Sequence, residues 1–217
     1  MPRDIIRKWT GPQMSADTMR RSAKRAILVL AACIAAAPAF AQRGAMTVPR
    51  NLDQLTDRAS DIVRGTVVSA RVEKHPQLSN LDTVVVTLRV RDTLKGHAAG
   101  TYTFRQYIWD VRDRYDAAGY RKGQDLLLLM ISPSAYGLSS PAGREQGRFR
   151  IERDRAGREV AVNGTDNLRL FDGLAAADKA VAALTPKQAS LAAKHRNGPV
   201  ELAELEAMIR AFARNLE

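Results

Sequence analysis

The chain reads as a mainly β protein built on a small closed or half-closed barrel. Three observations predict this. Thr83 to Asp92 alternates, with Val84, Val86, Leu88 and Val90 on one side and Thr87, Arg89 and Arg91 on the other. That is the pattern of a strand with one face buried and one wet. Leu126 to Ile131 is an unbroken apolar run closed by Ser132-Pro133. A run this short predicts a strand covered on both faces. Gly65 lies inside the β-branched stretch Asp61 to Lys74, where a bulge or sharp bend is expected.

The elements follow in order. Asn51 to Ala59 is a short helix candidate, with Leu52 and Leu55 on one face. Asp61 to Lys74 is the first strand, and His75-Pro76 through Asp82 is a turn region. Thr83 to Asp92 is the clearest strand, ended by Leu94-Lys95-Gly96. Gly100 to Trp109 alternates around Tyr102, Phe104 and Ile108 as a third strand. A polar loop, Asp110 to Gln124, precedes the apolar strand Asp125 to Ser132. Gln146 to Arg153 and Glu159 to Val162 then form a hairpin across Asp154 to Gly157, with glycine placed for positive φ. About five strands with a bend in the first predict an OB-like five-stranded barrel over residues 42–174, with a β-sandwich as the alternative.

From Ala175 the composition shifts to Ala, Lys and Gln, so 175–198 reads as a linker or weak helices. Pro199 opens a last helix over 199–217, with Leu202, Leu205, Ile209, Phe212 and Leu216 forming an amphipathic stripe. It is expected to pack on the sheet; docking a partner is the alternative.

The N-terminus carries an address. Within 19–41, Arg20, Arg21, Lys24 and Arg25 precede the apolar run Ala26 to Ala37, then Pro38 and Ala39-Phe40-Ala41. This is the layout of an export signal with an A-x-A cleavage site. The run of about 12 residues is short of the roughly 20 that span a bilayer. Residues 1–18 precede a second good start, Met19, and suggest a start placed too early. Leu30-Ala31-Ala32-Cys33 has the form of a lipobox, so lipidation of Cys33 is the alternative to cleavage after Ala41. Export to the periplasm or medium is expected, with a membrane tie only if Cys33 is lipidated or the signal stays uncleaved.

Cys33 is the only cysteine, so cleavage after Ala41 leaves a domain held without disulfides. Residues 1–41 hold seven basic residues against two acidic ones, net +5 of the chain's +11. The remainder is interspersed rather than blocked, which reads as a solvated surface and makes a nucleic-acid partner unexpected.

No catalytic motif is visible. His75, His97 and His195 lack metal-ligand spacing and read as exposed loop residues. Ser139-Ser140 lacks a companion G-x-S-x-G or S-x-x-K. Asp110, Asp113 and Asp116 recur at intervals of three, a weak Ca²⁺ candidate, but Arg112 and Arg114 interleave them. The best surface candidate is Tyr107, Trp109, Arg112, Arg114, Tyr115 and Tyr120. Aromatics among basic side chains can stack on sugars or bases; the alternative is that they close the barrel end as core. No enzyme activity and no cofactor are expected.

A line of motifs carries a resemblance: Ala59-Ser60-Asp61-Ile62-Val63-Arg64-Gly65-Thr66-Val67, Val90-Arg91-Asp92-Thr93-Leu94-Lys95-Gly96, Gly123-Gln124-Asp125-Leu126-Leu127-Leu128-Leu129 and Gln146-Gly147-Arg148-Phe149-Arg150-Ile151. It resembles a set of uncharacterised exported bacterial proteins, and its skeleton looks like the OB-type barrel of the netrin module and the tissue inhibitors of metalloproteinases. It covers roughly Leu52 to Val162 and is structural rather than chemical. Those inhibitors chelate zinc through an N-terminal Cys, and no Cys stands near the predicted mature N-terminus. The expectation is an exported, non-enzymatic binding or interaction module for an envelope protein or polysaccharide. An accessory or inhibitory domain for an envelope protease is the alternative.

Overall fold

The computed structural model describes residues 48–174 and 182–214. The export segment 19–41 with Cys33, the residues before it, positions 175–181 of the connection, and Leu216 lie outside the described residues. The described chain is mainly β. Seven strands, β1 (Asp61–Lys74), β2 (Asp82–Lys95), β3 (Thr101–Tyr107), β4 (Asp125–Met130), β5 (Arg148–Arg153), β6 (Glu159–Asn163) and β7 (Val200–Glu201), join three α-helices, α1 (Leu52–Arg58), α2 (Pro186–Lys194) and α3 (Leu202–Arg214). All neighbouring strands are antiparallel in one sheet of order β3-β2-β1-β4-β5-β6-β7.

Two expectations are corrected in this arrangement. The strands form one continuous sheet of seven, where six strand segments are read from the sequence, and not the two sheets of a sandwich. The extra strand is Val200–Glu201, which pairs with Val160 and Ala161. Its two residues were read as the start of the last helix, but the helix begins only at Leu202. A two-residue strand is too short to show alternation, so its pairing comes from contact with β6 alone.

Local chemistry explains the remaining boundaries. Asn51 caps α1 by accepting from the Gln54 N–H at 2.9 Å, while the Gln54 side chain accepts from the Asn51 N–H at 3.2 Å. This reciprocal capping box satisfies donors that a helix start otherwise leaves open. Thr185 and Gln188 repeat the device on α2, with Pro186 at the first turn. Part of the connection expected as a linker or weak helices is therefore a capped helix.

Two apolar cores lie on opposite sides of the sheet. Leu52 and Leu55 of α1 and Leu202, Leu205, Met208, Ile209 and Phe212 of α3 pack on Ile62, Leu127, Leu129 and Phe149. Val63, Val67, Val84, Val86, Leu88, Phe104, Leu126, Leu128 and Met130 fill the other side. β4 feeds both: Leu126 to Met130 are all 0% exposed. Four members of the stripe read from the last helix, Leu202, Leu205, Ile209 and Phe212, are buried against the sheet. Ion pairs fasten that helix at its rim. Arg64 meets Glu159 at 2.7 Å and Glu206 at 3.5 Å, and Arg210 pairs with Asp92.

The bend in β1 is real and has a steric cause. The β1–β2 register slips between Ile62 and Val63, between Arg64 and Gly65, and between Val67 and Ser69. A Cβ on Gly65 would stand 2.5 Å from the Arg89 carbonyl oxygen, so only glycine permits this approach. After β4 the chain doubles back. The Ser139 N–H donates to Arg105 O of β3 at 2.8 Å, and the Ala142 N–H donates to Leu129 O of β4 at 2.7 Å. Residues 138–142 thus hydrogen-bond both to the outer strand β3 and to β4.

Gly65→Ala is expected to destabilise the fold by about 1–3 kcal/mol through overpacking against β2. Leu128→Ala is expected to cost about 2–5 kcal/mol through a cavity in the second core. Urea unfolding followed by circular dichroism measures both; a shift in midpoint of neither variant would contradict the two-core arrangement.

Candidate functional site

The candidate site grows from the end of β3. β3 stops at Tyr107, where Ile108 turns inward and is buried, and Trp109 is left outside at 60% exposure. The polar loop that follows is not irregular throughout. Val111–Arg114 forms a 3₁₀ turn capped by Asp110, whose side chain accepts from the Arg112 N–H at 2.9 Å. Ala117–Gly119 forms a second turn. Two turns with no buried residue of their own present Val111 and Tyr115 to solvent, Tyr115 at 89% exposure.

Trp109 is exposed but held. Tyr107 meets it edge to face, with ring centroids 4.8 Å apart. The Arg144 guanidinium lies 4.8 Å from the indole centroid, a cation–π distance. A cleft of about 210 Å³ opens beside it, lined by Asn80, Leu81, Asp82, Tyr107, Trp109, Val111 and Arg114. The carboxylates at the cleft are all ion-paired. Asp82 takes the Lys74 ammonium at 2.8 Å and Arg114 at 3.2 Å. The hydrogen bond from Lys74, reinforced by Arg114, holds the Asp82 carboxyl below its ordinary range. Asp110 takes Arg112 through both Nε and a terminal nitrogen.

Backbone strain gathers on two sides of this region. Ala117 and Ala118 have φ of 50° and 55°, and Arg144 has 59°. Left-handed backbone in residues carrying a Cβ costs about 1–2 kcal/mol each and tends to persist where surrounding structure imposes it. Here Arg148 donates to the Ala118 carbonyl at 2.7 Å, and Arg144 spans to Trp109.

The six aromatic and basic candidates do not form one patch. Tyr107, Trp109 and Arg114 line the cleft, and Arg112 and Tyr115 flank it on the same capped turn. Tyr120 does not belong to this surface. It is 3% exposed, its ring meets Phe104 edge to face at 5.6 Å, and its hydroxyl donates to Gln106 Oε1 at 2.9 Å. Arg148 covers its outer side at 4.6 Å. Tyr120 is the loop's anchor in the core, because its ring fills the sheet's open end while its hydroxyl still finds a partner.

Asp110, Asp113 and Asp116 lie along the two short turns. Asp110 is committed to the cap and to Arg112, and among the described residues no three His, Cys, Asp or Glu side chains group to hold a metal ion. The reading of all histidines as exposed is corrected at His75, which is 3% exposed. Its Nδ1 accepts from the Gln77 and Leu78 N–H groups at 3.2 and 3.1 Å, so the proton sits on Nε2 and is donated to Tyr136 O at 2.9 Å. It pins the turn 75–81 to the loop before Leu138. His195 donates from Nε2 to Gly198 O at 3.0 Å, against the Phe171 ring.

Asn80 and Arg144, both at the site, carry no sequence signal. They reach it from the β1–β2 turn and from the segment before β5, far away along the chain. Among the described residues no helix is long and apolar enough to cross a membrane. Comparison with protein-family models, with curated proteins and with solved structures returns no match.

Burial pushes the phenol of Tyr120 up to about 12 from 10.0, and burial pushes Tyr102 to about 12 as well. Below pH 10 both phenols are neutral whether the chain is folded or not. Above it the unfolded chain sheds these protons first, so stability falls from about pH 10 to about pH 12 and then levels. Tyr120→Phe is expected to flatten that fall while lowering stability at neutral pH by about 1 kcal/mol for the lost Gln106 bond. Phenolate absorbance together with alkaline unfolding curves checks both effects.

Proposed function

We propose that this chain is an exported, non-enzymatic binding module that takes its ligand at the Trp109 cleft. The observation that carries the reading is an indole 60% exposed yet fixed by Tyr107 and Arg144. An exposed aromatic held in one orientation loses little entropy when a ligand covers it, which is what a recognition surface needs. The neighbouring Tyr115 extends the apolar surface. The strained turns at Ala117, Ala118 and Arg144 fit a surface kept in shape at some cost to stability.

The scaffold in this reading is an OB-type barrel. β1, β2, β3 and β4 would be its walls, and residues 138–142, hydrogen-bonded to both β3 and β4, its fifth strand. The β5–β6–β7 extension and the helices would then brace it from one side. OB barrels bind chain-like ligands across their walls and loops, which suits an envelope polymer or an extended protein segment. The export reading rests on the charged, apolar and A-x-A order of residues 19–41.

Trp109→Ala and Arg112→Ala are expected to weaken retention on an envelope fraction by roughly tenfold, equivalent to about 1.4 kcal/mol, with the unfolding midpoint unchanged. Unaltered retention in both variants would remove the cleft as the site. Intact mass of the exported protein is expected to begin at Gln42; a mass starting at Cys33 with added acyl chains would replace free export with a lipid anchor.

A further inference from the structure

We propose that the ligand of the Trp109 cleft is a neutral glycan chain, with one pyranose ring seated between Asn80, Tyr107 and Trp109. This inference rests on the binding reading above and adds the chemistry of the ligand. Three observations point to it.

The first is which groups remain uncommitted. The cleft's two charged lining residues, Asp82 and Arg114, pair with each other, and Lys74 takes the other Asp82 oxygen; beside the cleft Asp110 holds Arg112, and Arg144 lies over the indole. The cleft's uncharged groups are not paired in this way. The Asn80 carboxamide, the Tyr107 hydroxyl and the Trp109 indole N–H make no hydrogen bond among the described residues. What the site offers a newcomer is therefore uncharged donors and acceptors around an aromatic plane. A sugar ring presents the complement, hydroxyls at its rim and an apolar C–H face. An anionic polymer would have to draw Lys74, Arg114 and Arg112 out of pairs they already make, or Arg144 off the indole, exchanging one interaction for another with little gain.

The second is size. A cleft of about 210 Å³ falls below the ~300–1,000 Å³ of sites that enclose a whole small molecule. It holds one ring, and the rest of the ligand must lie outside.

The third is what lies outside. From Val111 at the cleft's rim, the 89%-exposed Tyr115 continues the apolar surface along the same capped turn. A linear chain with one unit in the cleft and its neighbours over these side chains covers all three without burying a charge.

The test uses the full chain as exported, in affinity electrophoresis through gels containing a neutral glucan, a neutral mannan, a poly-N-acetylglucosamine or the anionic polygalacturonate. The expected result is retardation by at least one neutral polymer, unchanged by added salt because no counterions are displaced. Trp109→Ala and Asn80→Ala are each expected to weaken that retardation roughly tenfold, in line with the loss of one aromatic contact or one set of ring hydrogen bonds. Asn80 is exposed on a turn outside both cores, so its variant keeps the test informative if the tryptophan variant is unstable. Retardation by polygalacturonate alone, released by salt, would overturn the neutral glycan and leave a binding module. No retardation by any polymer, with envelope retention still dependent on Trp109, would likewise overturn the glycan and favour a protein ligand. Retention unchanged by Trp109→Ala throughout would overturn both readings.

Discussion

The structure depends on one strand being dry on both sides. After Asp125, β4 is five consecutive apolar residues with no exposed surface, Leu127 and Leu129 facing the helices and Leu126, Leu128 and Met130 facing the second core. A strand like this cannot lie at the edge of a sheet or face water, so something must cover each face. Burying five such side chains is worth on the order of 1.5–3 kcal/mol each, so β4 requires cover on both of its faces. The N-terminal helix and α3 answer it on one face, and the curled β1–β2–β3 sheet answers it on the other.

Curling has a cost in register, and the β1–β2 pair shows where it is met. Each slip in pairing turns subsequent side chains toward a different face. On β2, Val84, Val86 and Leu88 therefore serve one core while Leu94, at the same strand parity beyond the slips, serves the helix-side core. Gly65 allows β2 to come close at the bend. The partly buried Arg64 is placed on the helix side by the same geometry and ties α3 to β6 through Glu206 and Glu159. The backbone feature that bends the sheet also positions the ion pairs that fasten the last helix.

The same curl creates the candidate site. Where β3 ends, the sheet's open end is stopped by Tyr120, clamped between Phe104 and Arg148. Anchoring the loop at that point forces the residues before it to run over the surface. Asp110, Arg112 and the two short turns hold them there. Trp109 and Tyr115 are exposed because the loop's one core aromatic is supplied further along. Arg144 then reaches Trp109 from the far side of the fold, and Arg148, four residues on, reaches Tyr120.

The sequence by itself determined the β class, the bounds of β1, the double burial of β4, the bulge at Gly65, the Asp154–Gly157 hairpin and the buried face of the last helix. Each of these is a local matter, set by alternation, by a missing Cβ or by helical spacing, and so is legible within a dozen residues. Only the tertiary structure decided that Tyr120 is core while Tyr115 is surface, that His75 is a buried clasp, that Val200–Glu201 is a strand, and that Asn80 and Arg144 stand beside Trp109. Each of these depends on which distant segment arrives opposite a given side chain. Aromatic, histidine and arginine side chains are amphipathic enough to serve either inside or outside, so their own sequence context carries no preference until the curl of the sheet supplies the neighbour.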